Sequence, residues 1–144
     1  MELVNIKVWV NGSAAKIMPV LLDHQNLSRF FSARFAVLQS AAAGQPSGGV
    51  GTIRAVTSMG KTFNEQVIGL TETKLTYRIV GAAPLKNHLG VIRLLPTANK
   101  LVTELHYVIS GTSSNWVPTA LIGWLLRGDI SKAMAKLKDH FDAD

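Results

Sequence analysis

The chain has 144 residues, 47% of them hydrophobic, which is enough apolar surface for one buried core and too much for a disordered tail. It has no cysteine, which excludes disulfides, thiolate catalysis and cysteine-ligated metals and leaves the cytoplasm as the default compartment. The formal charge of +6 comes from basic residues spread along the chain, not from a stripe interleaved with stacking aromatics, so no nucleic-acid partner is expected.

Met1 to Val10 alternates apolar with polar residues and lacks the basic segment and unbroken apolar run of a signal peptide. It reads as a first strand, Glu2 to Val10, that buries Val4, Ile6, Val8 and Val10. Ser13 or Asn11 can cap a helix running through about Leu22, and Asn26 can cap a second short one through about Phe31. Strands follow near Ala33 to Ala41, Val50 to Ser58, Thr62 to Leu70, Lys74 to Val80, Lys86 to Leu95 and Lys100 to Ser110. Between the first two of these, Ser40 to Gly49 is rich in small residues and reads as a mobile loop, either a plain solvated connection or a gate.

The last element is a helix from Trp116 to Phe141 with Pro118 in its first turn. Thr119, Ile122, Leu126, Ile130, Ala133, Met134, Leu137 and Phe141 recur at helical spacing and form its core stripe. Leu121, Trp124 and Leu125 fall off that stripe, so loops, a homodimer contact or a lid over a cavity should cover them. No run of residues is long enough for a transmembrane segment. The layout predicts one α+β domain over residues 1 to 144: a curved seven-stranded antiparallel sheet around a long C-terminal helix, with two short helices after the first strand.

Pairing arithmetic places four polar residues on one face of this sheet. A two-residue turn at Met59-Gly60 sets Arg54 opposite Glu65 and Val56 opposite Phe63. A three-residue connection, Thr71 to Thr73, sets Val67 against Tyr77 and Glu65 against Ile79; a two-residue connection would bury Lys74, Thr76 and Arg78 beside Phe63. If the sixth and seventh strands turn at Thr97-Ala98, His88 lies opposite Tyr107.

In a dry pocket, Glu65 can abstract a proton while Arg54 and a Tyr or His donor stabilise the oxyanion that develops, chemistry suited to isomerisation, cyclisation or dehydration of a carbonyl compound. The same pair also reads as a cross-strand ion pair that anchors the sheet. The four histidines fall on separate elements without metal-ligand spacing, so no metal is expected. Gly49-Val-Gly51 leads into a strand and lacks the third glycine of a dinucleotide loop, and no cofactor is expected.

The segments Ala14 to Asp23, Asn26 to Phe31, Gly49 to Arg54, Phe63 to Val67, Leu75 to Ile79 and Pro84 to Ile92, in this order and spacing, resemble the START-like (SRPBCC) superfamily, and within it the polyketide cyclase/dehydrase group of helix-grip proteins. The resemblance covers nearly the whole chain. It implies a hydrophobic cavity between sheet and last helix that holds lipids, polyketides, sterols or other small apolar molecules; some members of the superfamily are enzymes and many only bind. Cavity enzymes of the group, including a plant sulfenic-acid isomerase, are similar in placing an arginine, a glutamate and tyrosines on the strands that carry Arg54, Glu65 and Tyr77; His88 stands where a tyrosine is expected.

The leading expectation is therefore binding of a small hydrophobic ligand, with Tyr77, His88, Tyr107, Phe63, Ile92, Ile122 and Leu126 as ligand-binding candidates. The alternatives are a cofactor-independent lyase or isomerase, with Glu65 and Arg54 as its catalytic candidates, and an interaction domain or homodimer acting through Leu121, Trp124 and Leu125.

Overall fold

Apolar residues at alternate positions bury one face of an extended chain, and in the computed structural model, which describes residues 1–143, the amino terminus forms β1 (Glu2–Asn11). Val4 and Val10 are buried, and Ile6 and Val8 half-buried, on the expected side. Leu3 is buried as well, because a bulge between Glu2 and Val4 shifts the register there. Ser13 takes the N-cap position of α1 (Ala14–Leu22), its carbonyl accepting the amides of Lys16 and Ile17. Asn11 instead donates to Asp142 Oδ1 at 2.6 Å.

The second short helix is a 3₁₀ helix over His24–Arg29 that begins after Asp23, so Asn26 is not its cap. Asp23 serves as well as Asn at that position and comes first in the chain. Its carbonyl accepts the Asn26 amide, and Asn26 Nδ2 donates back to Asp23 Oδ2 at 2.9 Å.

The remaining strands are β2 (Arg34–Gln39), β3 (Ile53–Ser58), β4 (Lys61–Leu70), β5 (Lys74–Val80), β6 (Leu85–Pro96) and β7 (Val102–Ser113). Among the described residues all seven form one antiparallel sheet in the order β1-β7-β6-β5-β4-β3-β2. Short turns make the meander, and only β1 crosses over, to lie beside β7. Val50 to Thr52 precede β3 because they belong to the loop before it, where Ala42 donates to the Val50 carbonyl and Val50 donates to Gln45 Oε1. Gln39 Nε2 closes the same loop onto the Gly51 carbonyl. Residues Ser40 to Gly49 are thus a hydrogen-bonded loop, and none of them lines the cavity described below, which corrects the expectation of a gate.

At Met59 and Gly60 the backbone takes φ of 53° and 77°, the left-handed pair that a two-residue hairpin turn requires, and Ser58 faces Lys61. The next connection reaches the expected register by another route. Thr71 donates to the Lys74 carbonyl around a two-residue turn, Leu70 faces Leu75, and a bulge at Ile68 then restores Val67 to Tyr77 and Glu65 to Ile79. The bulge keeps Leu75, Tyr77 and Glu65 on the inner face despite the short turn.

The β6–β7 register departs from expectation. Tyr107 faces Ile92, not His88, because Thr97 to Leu101 form a five-residue loop held by their own side chains: Thr97 Oγ1 donates to the Val102 carbonyl at 2.8 Å and Asn99 Oδ1 accepts the Leu101 amide at 2.9 Å.

The C-terminal helix is α2 (Thr119–Asp142), which leaves Trp116 outside and Pro118 at the N-cap, where its ψ of 134° is extended and not helical. Ile130, Ala133, Met134, Leu137 and Phe141 are buried in one core cluster with the sheet residues Val10, Leu94 and Leu105 and with Ile17 and Leu21 of α1. In the first half of α2 the corresponding residues, Ile122 and Leu126, are only half-buried. The second half of the helix therefore fills the core, and the first half roofs a space. This is the START-like helix-grip fold expected from the sequence. Among the described residues no helix is long and apolar enough to cross a membrane.

Candidate functional site

The space under the first half of α2 is a cavity of about 410 Å³ whose walls include Phe31, Phe35, Phe63, Leu85, Ile109, Ile122 and Leu126. Its polar floor is built by the hairpins. Because β3 and β4 share the two-residue turn, Arg54 and Glu65 are cross-strand neighbours, and Arg54 Nε and Nη2 donate to Glu65 Oε1 at 3.1 and 2.8 Å. Both residues are buried, with 6% and 7% of their surface exposed. Desolvation, the largest single influence, would lower the Arg54 pKa, but Glu65 first and then Tyr77 and Tyr107 raise it, and the net shift is upward. Phe35 and Tyr77 cover the guanidinium, their ring centres 5.1 and 4.9 Å from its carbon.

Tyr77 reaches the floor because its partner across the ladder is Gly90. A Cβ at position 90 would lie 2.2 Å from Tyr77 Cζ, so only glycine leaves room for the ring. The hydroxyls of Tyr77 and Tyr107 are hydrogen-bonded to each other. One bond uses one hydroxyl proton, so the other remains available to a third group. Burial, then the neighbouring Tyr107 and Glu65, push Tyr77 well above the usual phenol range; burial and then Glu65 raise Tyr107 in the same way. Both act as neutral donors.

His88 comes to the same floor by a different device. The β5–β6 ladder stops at Tyr77 and Gly90, and a bulge between Lys86 and Leu89, with Asn87 at φ 54°, parts the strands. The imidazole fills the gap: the Ile79 amide donates to His88 Nδ1 at 3.1 Å. The neutral ring then carries its proton on Nε2, which has no partner among the described residues. Burial, with Arg54 reinforcing and Glu65 opposing, lowers the His88 pKa and favours that neutral form.

Sequence reasoning did not single out His24. It is 2% exposed, and Arg54 Nη1 donates to its Nδ1 at 2.8 Å while its Nε2 donates to the Gly48 carbonyl at 2.8 Å. Burial and then Arg54 lower its pKa. The contact joins residues thirty positions apart on a 3₁₀ helix and a strand, a separation that leaves no periodic signal. Phe35 and Asp129 also line the cavity unanticipated.

The structure thus brings Arg54, Glu65, Tyr77, His88, Tyr107, Phe63, Ile122 and Leu126 to one cavity. Ile92 is the exception. Opposite Tyr107 and Leu75 it is 4% exposed and belongs to the packed core, not to the cavity lining, because the register places it deeper than expected. Leu121, Trp124 and Leu125 remain 46%, 65% and 40% exposed, and only Leu125 touches the cavity. Among the described residues no group of three or more His, Asp or Glu is placed to hold a metal ion.

Over residues 1–142 the sequence matches the family described as polyketide cyclase / dehydrase and lipid transport. The chain belongs to that family. A search of curated proteins gives no significant match. Among solved structures it is similar to a START superfamily protein from Mycobacterium smegmatis, at 15% identity and a TM-score of 0.79 over 97% of each chain. It is similar also to the di-domain ARO/CYC StfQ from the steffimycin biosynthetic pathway, at 14% identity and a TM-score of 0.70, over 97% of this chain and 50% of that one. A third likeness is to the Aha1 dimer from Colwellia psychrerythraea, at 18% identity and a TM-score of 0.68 over 96% of this chain and 94% of the other. At these identities the likeness is one of fold. Within the polyketide cyclase / dehydrase and lipid transport family, this chain presents an apolar cavity whose floor offers one carboxylate oxygen, one phenol proton and one imidazole N–H.

Proposed function

We propose that the protein binds a small hydrophobic molecule in the cavity between the sheet and the first half of α2. The observation that carries this reading is the cavity itself: about 410 Å³, walled by phenylalanine and aliphatic side chains, with Arg54, Glu65, Tyr77, His88 and Tyr107 gathered on its floor. Ligand pockets of the order of 300 to 1,000 Å³ share this division between apolar walls and a small polar set. Native mass spectrometry of protein purified from its own host, with extraction of whatever is bound, tests it. A specific apolar molecule in stoichiometric amount is the expected result; an empty protein whose melting temperature is unmoved by a panel of lipids and polyketides counts against it.

One observation favours a second reading, a cofactor-independent lyase or isomerase. Glu65 Oε2 accepts no hydrogen bond from the described residues and is not sealed from the cavity, so it is available as a general base, with Arg54 and Tyr77 or His88 beside it. Replacing Glu65 by Gln abolishes turnover under this reading and changes the affinity for a neutral ligand only a few-fold. A homodimer through Leu121, Trp124 and Leu125 is a separate proposal supported by their exposure. Sedimentation of wild type and Trp124→Ala tests it, with dissociation of the variant as the expected outcome.

A further inference from the structure

The charge of the guest can be read from the floor, given the ligand-binding reading above. Among the described residues the charged side chains lining the cavity are Arg54, Lys61, Glu65 and Asp129, two cations against two carboxylates. At the floor Arg54 and Glu65 already neutralise each other at 2.8 Å. Three guanidinium nitrogens are engaged, Nε and Nη2 with Glu65 and Nη1 with His24, and aromatic rings lie over the group. Lys61 is exposed beside the hairpin turn. The groups left for a guest at the floor are Glu65 Oε2, an acceptor that carries charge, and two neutral donors, His88 Nε2–H and the spare proton of the Tyr77–Tyr107 pair.

We infer that the cavity selects a neutral guest whose buried end carries a hydroxyl donor beside a carbonyl or other oxygen acceptor, and that it rejects a carboxylate or phosphate on the same skeleton. The hydroxyl donates to Glu65 Oε2, and the acceptor oxygen receives the tyrosine or His88 proton. An anion at the same place finds Arg54 already balanced by Glu65, and Lys61, which lines the cavity without an ion-pair partner among the described residues, is solvent-exposed beside the turn; an anion buried at the floor is therefore unmatched, which is strongly unfavourable. A cationic guest gains nothing from Glu65, since Arg54 has already neutralised it. The fatty acids and phospholipids that the words lipid transport bring to mind are on this argument the wrong ligands for this chain.

Calorimetric titration at neutral pH with one two-ring series tests this: benzoin, which carries hydroxyl and carbonyl together, deoxybenzoin, which keeps only the carbonyl, bibenzyl, which has neither, and 2,3-diphenylpropanoate, which is anionic on the same 1,2-diphenylethane skeleton. Benzoin is expected to bind best and 2,3-diphenylpropanoate at least about tenfold more weakly, because its charge is buried without a match. In Glu65→Gln the discrimination against 2,3-diphenylpropanoate should shrink several-fold, since Arg54 is then left unbalanced. The wild-type series decides the matter by itself, so a variant that does not fold leaves the test intact. 2,3-Diphenylpropanoate binding as tightly as benzoin overturns the inference while leaving the cavity reading in place. Failure of all four, bibenzyl included, overturns the cavity reading and the inference with it.

Discussion

His24 Nδ1 accepts a hydrogen bond from Arg54 Nη1 at 2.8 Å while its Nε2 donates to the carbonyl of Gly48 at 2.8 Å. A carbonyl only accepts, so the proton sits on Nε2 and the lone pair on Nδ1 faces the guanidinium. Arg54 demands the neutral ring, and the Gly48 carbonyl decides which nitrogen keeps the proton. Gly48 has φ 79°, and a Cβ there would lie 2.2 Å from the Leu22 carbonyl oxygen, so the loop approaches the end of α1 only as glycine. One imidazole thus ties the loop, the 3₁₀ helix and the cavity floor together.

The protein should lose stability as the pH falls below about 6.5, the ordinary histidine value. His24 and His88 both have lowered folded pKa values, so the unfolded chain takes up protons first. Their contribution is full above about 6.5 and is lost as the pH falls toward the lowered folded values, with a slope of up to about 1.4 kcal/mol per pH unit for each ring. Arg54 opposes protonation of both, and Glu65 favours it; Asp23 also favours it at His24. Urea midpoints compared at mildly acidic and mildly alkaline pH give the check, and a midpoint that rises toward acid contradicts the holding of both rings in the neutral form.

Arg54→Met should be strongly destabilising, by about 3 to 5 kcal/mol, because it leaves the Glu65 carboxylate buried without a partner. The double change Arg54→Met with Glu65→Met removes both charges and should recover much of that loss. Denaturant unfolding of the four proteins in the cycle measures the coupling. Additive losses would show that the 2.8 Å contact contributes nothing of its own.

Gly90→Ala should displace the Tyr77 ring and break its hydrogen bond to Tyr107, since the added methyl falls 2.2 Å from Tyr77 Cζ. Overpacking of this kind costs about 1 to 3 kcal/mol. Thermal unfolding reads the stability, and any ligand that binds the wild type should bind the variant more weakly. An unchanged melting temperature together with unchanged affinity would mean that the ring has another place to go.

Thr52→Val should leave the protein as stable or make it more stable by about 1 kcal/mol, because the buried Thr52 hydroxyl has no hydrogen-bond partner among the described residues and a methyl of the same shape carries no desolvation penalty. A loss of stability in denaturant unfolding would show that the hydroxyl is satisfied after all, by water.

The chain's local patterns alone determine most of the sheet. Alternation in Lys74 to Val80 and the left-handed pair at Met59-Gly60 act over a few residues, so local pattern suffices to put Arg54, Glu65 and Tyr77 on one face. Helical spacing in the last segment likewise sorts Ile130 to Phe141 into the core, because burial repeats with the turn of the helix. The β6–β7 loop is local too, set by the bonding of Thr97 and Asn99 within five residues, but that turn chemistry gives no periodic signal, and it places Tyr107 opposite Ile92 and not opposite His88. Two things were decided only by the tertiary structure. Bulges at Ile68 and at Asn87 change which residues face each other, and each depends on how the strand meets its neighbour as well as on its own sequence. His24 meets Arg54, and Tyr77 meets Tyr107, across thirty residues of chain. Contacts of that span leave no trace in local periodicity, since they exist only once the sheet has formed and brought distant elements together.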